Sequence, residues 1–260
     1  MSKGLPKWAA TPFHDFLDHQ HQLGYLLELS ITGISMLRAV PRAVEVLGPD
    51  EGETGERHSE RVEHAHKVAQ LAQREVDSGF PLLHAQATVS LWSSLECLVC
   101  GFLADWLANK PDALNLEPVR KTRISLGEYE AMAPDQRRHY IIELLEREVH
   151  APFRQGVDRF EALLGVFGLS GPVDDDTKRD LFELCSVRNV LVHRRGIADT
   201  RFVKACPWLD LKPGDTVAVS HDNFHRYMGS TTRYIVTLIK RVRAALGLPP
   251  DVDDSASWPP

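Results

Sequence analysis

Residues 82–108 read LLHAQATVSLWSSLECLVCGFLADWLA. On a helical wheel this stretch is apolar almost all the way round. A helix of that kind sits in the centre of a domain, because no face of it suits water. Gly79-Phe80-Pro81 punctuates the chain just before it. Its most apolar part, Leu91 to Leu107, is interrupted by Glu96 and Asp105. Those charges fit a buried helix better than a membrane span, so no membrane partner is expected.

Working outward, helical spacing dominates. Thr11-Pro12 reads as an N-cap followed by proline at the first helical position. Phe13, Phe16, Leu17, Leu23, Leu26, Leu27 and Ile34 then recur at helical period up to Pro41. Residues 48–55 form an acidic, glycine-bearing loop, and a charged helix follows from about His58 to Val76. Beyond the central helix, residues 109–133 are broken by prolines. Helices are predicted at about Pro134 to Val149 and Pro152 to Phe167. Asp174-Asp175-Asp176 then opens a helix that ends at Gly196, after His193-Arg194-Arg195. Ser220 or Asp222 caps a last helix running to Leu246. Arg123 to Leu126 and Thr216 to Val219 read as short extended pieces. The expected fold is mainly α, an antiparallel helical bundle with one or two short strand pieces. Residues 1–78 read as an N-terminal helical extension packed on the bundle, 79–247 as the main helical domain, and 248–260 as a flexible tail.

The composition agrees with a soluble globular chain. Of 260 residues, 43% are apolar and 25% charged, which excludes a wholly disordered protein. The net charge of −6 excludes a globally basic surface. Four scattered cysteines do not make a disulfide scaffold, and no apolar leader follows Met1. A cytoplasmic protein is expected.

The helix at 174–196 carries the chemical signal. Leu181, Leu184, Cys185, Leu191 and Val192 form one stripe, and Arg188 falls inside it. A guanidinium keeps its charge, so burial demands a partner. Glu96 has the same problem among Val89, Trp92, Val99, Cys100 and Leu103. Glu96 and Arg188 are therefore expected to meet. Phe182, Asn189 and His193 line another stripe, in which Asn189 and His193 are i,i+4 neighbours.

Arg188-Asn189-Val190-Leu191-Val192-His193 resembles the R-N-x-x-x-H form of the motif of HEPN domains, α-helical bundle proteins of which many are metal-independent endoribonucleases of toxin–antitoxin and other defence systems. Residues 187–202, and Gly214-Asp215-Thr216-Val217 before the last helix, look like uncharacterised bacterial proteins of that type. The resemblance covers roughly residues 80–246. An arginine-x4-histidine pair arises about once by chance in such a chain. Arg61 and His66 form a second one, in a charged surface helix. The asparagine beside Arg188 sharpens the match.

The resemblance implies RNA as substrate, His193 as acid/base, Arg188 for phosphate charge and Asn189 as support. It also implies a homodimer sharing the site and a possible antitoxin partner. Cleavage by the 2′-hydroxyl needs a base, an acid and positive charge on the phosphorane. Histidine titrates near neutral pH, and the arginine fork binds two oxygens. Arg188, Arg194, Arg195, Arg201 and Lys204 against Asp199 give residues 188–204 a net +4, a patch suited to a polyanion. Phe182, on the face of Asn189 and His193, is the apolar contact expected between the two copies. Some relatives in that family carry a modifiable tyrosine two residues past the histidine; Arg195 stands there in this chain. A catalytically silent module that binds nucleic acid, nucleotide or protein is the alternative.

Other constellations are weaker. Cys97-x-x-Cys100 lies in an apolar helix and reads as core. His14, Asp18 and His21, and separately His58, His64 and His66, lack a supporting ligand shell. No phosphate-binding glycine loop occurs. No cofactor and no metal set are expected.

Overall fold

The computed structural model describes residues 4–149 and 155–249. Its helices are α1 (Lys7–Met36), α2 (Val40–Leu47), α3 (Gly55–Ser78), α4 (Pro81–Asn109), α5 (Glu117–Lys121), α6 (Leu126–Ala131), α7 (Pro134–Glu148), α8 (Val157–Val166), α9 (Asp175–Arg194), α10 (Thr200–Ala205) and α11 (His221–Ala245). The fold is mainly α, as the periodicity implies. The expected start of a helix at Pro152, and tail residues 250–260, lie outside the described residues.

The all-round apolar helix is central. α4 touches α1, α7, α9 and α11. Phe102 meets Phe13 of α1 at 5.2 Å between ring centres, and Trp92 meets Phe160 of α8 at the same separation. α4 begins by a glycine-assisted reversal: Gly79 is left-handed at φ 75°, and its N–H donates to the Glu75 and Val76 carbonyls. Pro81 then occupies the first helical position.

Three local expectations need correction. The first helix starts at Lys7, not at Thr11-Pro12. Pro6 precedes it, Pro12 is tolerated inside it, and the Thr11 hydroxyl donates back to the Lys7 carbonyl. Nor does the helical path stop at its end: a 3₁₀ turn at Leu37–Ala39 leads straight into α2, with Pro41 near the start of that helix. Among the described residues no strand forms. Residues 123–125 are irregular, and Thr216 makes only an isolated antiparallel bridge with Ile197. Too few neighbours extend that bridge into a sheet.

α1 divides into two halves with different surroundings. Ala9, Ala10, Phe13 and Phe16 are buried in the core shared with α4. The second half packs on α3 along one side and leaves the other side open. The stretch Lys7–Leu47 and α4 are both long and apolar enough to cross a membrane, but 56% of the apolar window in α4 is buried against only 6% of that in the first stretch.

Candidate functional site on α9

α9 is fixed at both ends. The Asp174 carboxylate accepts from the Thr177 N–H at 2.8 Å, and this bond holds its pKa below the usual carboxylate value. At the other end Arg195 and Gly196 are both left-handed, and the Gly196 N–H closes on the Val190 carbonyl at 3.1 Å. Between them α9 is buried on most sides. Gly156, just before α8, lies so close that a Cβ there would come within 2.7 Å of the Phe182 backbone.

Arg188 and Glu96 do meet. Arg188 Nη2 lies 3.7 Å from Glu96 Oε2, and Arg188 Nη1 donates to Asn189 Oδ1 at 3.2 Å. Glu96 Oε1 also accepts from Arg159 Nη1 at 2.5 Å, and Arg159 holds Glu146 of α7 at 2.6 Å. One carboxylate thus ties α4 to α8 and α9. Arg188 Nε is buried without a hydrogen-bond partner. Asn189 reaches back to Cys185 Sγ at 3.8 Å, so its amide is oriented along α9.

His193 stands apart from this network. It is exposed on the last turn of α9 and makes no hydrogen bond or ion pair with any described residue. The structure therefore brings Arg188, Asn189 and Glu96 into contact, and leaves His193 one turn further along at the surface. The apolar stripe is narrower than its wheel implies: Val192 is 48% exposed, and Leu191 is half-buried. Phe182 is not an open contact either. It is half-buried and packs on Trp208, with 6.3 Å between ring centres.

The basic residues follow the His193 end along the chain, into α10. Arg194 is partly compensated by Asp199, at 3.5 Å. Arg195, Arg201 and Lys204 are exposed and pair with no described residue. Backbone bonds tie this loop back: Ala198 N–H to the Asp215 carbonyl and Val217 N–H to the Gly196 carbonyl, at 2.9 and 2.7 Å. Phe202 and Cys206 anchor its inner side in the core.

Sequence reasoning missed a second polar cluster on the same helix. Asp180 and Glu183 are buried, facing α11. Glu183 accepts from the Tyr227 hydroxyl at 2.6 Å and from Trp208 Nε1 at 2.5 Å; Asp180 accepts from the Ser230 hydroxyl at 2.5 Å. Arg226 bridges both carboxylates. Burial and the Glu183 charge push the Tyr227 hydroxyl pKa upward. Asp180 and Glu183 border a cleft of about 550 Å³ with Asp176, Arg179, Trp208 and Arg226. Every polar atom of the acid pair is already engaged, so the cluster welds α9 to α11. Its signal in the sequence was two acids beside Leu181 and Leu184, the residues of the apolar stripe.

A further cleft, of about 530 Å³, lies between α1 and α4. There His19 Nε2 is 3.0 Å from Ser90 Oγ. Ser90 sits inside α4, where the backbone N–H groups are consumed by the helix, so nothing supplies an oxyanion hole. Cys97 borders this cleft and is exposed, contrary to the core reading of Cys97-x-x-Cys100. Cys100 does fit that reading: burial pushes its thiol up to about 12. Among the described residues no three His, Cys, Asp or Glu side chains are gathered closely enough to hold a metal ion. Compared with family profiles, curated proteins and solved structures, the chain matches none.

Proposed function

We propose that this chain is a metal-independent endoribonuclease of the HEPN type. In this reading His193 moves the proton, and Arg188 with Asn189 holds the phosphate. Arg194, Arg195, Arg201 and Lys204 guide the RNA backbone. The supporting observation is the state of His193: an exposed imidazole that bonds to no described residue, followed along the chain by Arg195, Arg201 and Lys204, which likewise pair with no described residue. An imidazole with no structural task is available for acid/base work. The surroundings suit a polymer: a polyanion binds an exposed basic surface such as that of Arg194, Arg195, Arg201 and Lys204.

The second reading is a silent module of the same type that binds RNA without cutting it. The grip of Glu96 and Asn189 on Arg188 favours it, because that arginine already has partners. Incubation of the purified chain with single-stranded RNA decides between them. Cleavage that disappears in a folded His193→Ala variant supports the nuclease. Binding without any cleavage selects the silent module.

A further inference from the structure

The exposed side of α1 is the least expected surface of the molecule. Tyr25, Leu29 and Met36 recur at i, i+4 and i+11, opposite the buried Phe16, Gln20 and Leu27. Tyr25 is 67% exposed, Leu29 71% and Met36 68%. Leu26 flanks this row, and Val46 and Leu47 continue the apolar exposure on α2. At ordinary side-chain areas these six residues expose roughly 800 Å². The largest apolar patch on a typical monomer is ~300–600 Å², and a standard protein interface covers ~800 Å² per partner.

Charge identifies the occupant. Asp15 and Asp18, exposed, precede the apolar row; Arg42, exposed, follows it, while Arg38 is turned toward Gln73 of α3 at 3.5 Å. A parallel second copy would set acid against acid. An antiparallel copy sets Tyr25 against the partner's Met36 and brings Asp18 near the partner's Arg42. The row is thus complementary to itself under a two-fold rotation, which is the requirement of an isologous contact. A lipid surface fits less well. Interfacial helices carry Lys and Arg beside their apolar face, and between Trp8 and Leu37 the only charged residues of α1 are Asp15, Asp18 and Glu28.

We propose that two copies of this chain pair antiparallel through the Tyr25–Leu29–Met36 face of α1. This contact lies on a different element from the α9 motif and stands or falls independently of the ribonuclease reading.

Light scattering on a sizing column, with the whole protein at high micromolar concentration, tests the proposal. The wild type is expected at twice the chain mass or a multiple of that. Leu29→Glu with Met36→Glu should halve the mass and leave the far-ultraviolet circular dichroism unchanged, since both side chains are exposed. Asp18→Arg should weaken association, and Asp18→Arg with Arg42→Glu should restore it. A monomeric wild type overturns the proposal, as does an unchanged mass in the folded double variant. A monomer that floats with phosphatidylcholine or phosphatidylserine vesicles overturns it in favour of a membrane surface.

Discussion

Arg188 and Glu96 face each other across α9 and α4 at 3.7 Å, and Glu96 is shared with Arg159 at 2.5 Å. The carboxylate is therefore the hub of a three-helix contact, and Arg188 is its looser spoke. A guanidinium held at that distance is oriented without being locked, and the neighbouring Asn189 oxygen limits its swing. The first prediction concerns this hub. Glu96→Gln should lower stability by about 1–3 kcal/mol, the usual loss when a partly buried charge loses its partner. Chemical denaturation checks this. RNA affinity should rise or hold, because Arg188 is released toward phosphate; a fall in affinity would assign Glu96 a direct part in binding.

His193→Ala should reduce cleavage by about 10²–10⁴-fold, the range for loss of a general acid or base. Its melting temperature should be unchanged, because the imidazole is exposed and bonds to no described residue. Arg188→Ala should cost about 10²–10³-fold in rate and also some stability, since it strands one side of Glu96. Cleavage rates and thermal melts on the two variants separate these effects.

Cleavage should survive EDTA and leave 2′,3′-cyclic phosphate ends. The reasoning is chemical: an imidazole and a guanidinium suffice for attack by the 2′-hydroxyl. End-group analysis of the product checks it. Activity lost in chelator and restored by Mg²⁺ or Mn²⁺ would move the chemistry elsewhere.

Positions 188 and 193 lie about 140° apart around the helix axis. A phosphate touched by both is reached more directly when each copy supplies one of them. Mixing Arg188→Ala with His193→Ala under conditions of subunit exchange should then restore part of the activity. No recovery despite demonstrated exchange would assign the whole site to one chain.

The N-terminus of α11 supplies a pH prediction. His225 packs against His221 at 4.2 Å between ring centres, and His221 lies 5.7 Å from the buried His84. Desolvation first, then the neighbouring His221 and His84, lower the His225 pKa below 6.5, with Asp222 opposing. The folded state therefore binds this proton less readily than the unfolded chain. Stability is present above about pH 6.5 and is lost as pH falls through the folded value. Melting temperatures between pH 5 and 7.5 should show this slope, and His225→Gln should flatten it.

The fold was largely legible because period and punctuation agree. The all-round apolar run became α4, Asp174 and Ser220 became caps, and Gly79 marked a real boundary. What misled was local: Thr11-Pro12 copies a helix start, yet Pro6 performs that task five residues earlier. The Glu96–Arg188 contact was legible because two charges on two apolar faces must find each other. The Asp180–Glu183 weld was not, since its partners on α11 are some 45 residues away and carry no spacing signature. Nor did the wheel reveal that Trp208 covers Phe182, because that tryptophan lies in a three-residue 3₁₀ turn, Pro207–Leu209, with no helical period to read.

The segment from Gly196 to Val217 is sewn at its two ends by backbone bonds and pinned inside by Phe202 and Cys206. None of those attachments involves Arg201 or Lys204. The outer face of the segment is consequently free to drift in sequence while the helix bearing Arg188 and His193 stays put. A transplanted loop need preserve only its two stitches, its two pins and the seat of Trp208 against Glu183 and Phe182.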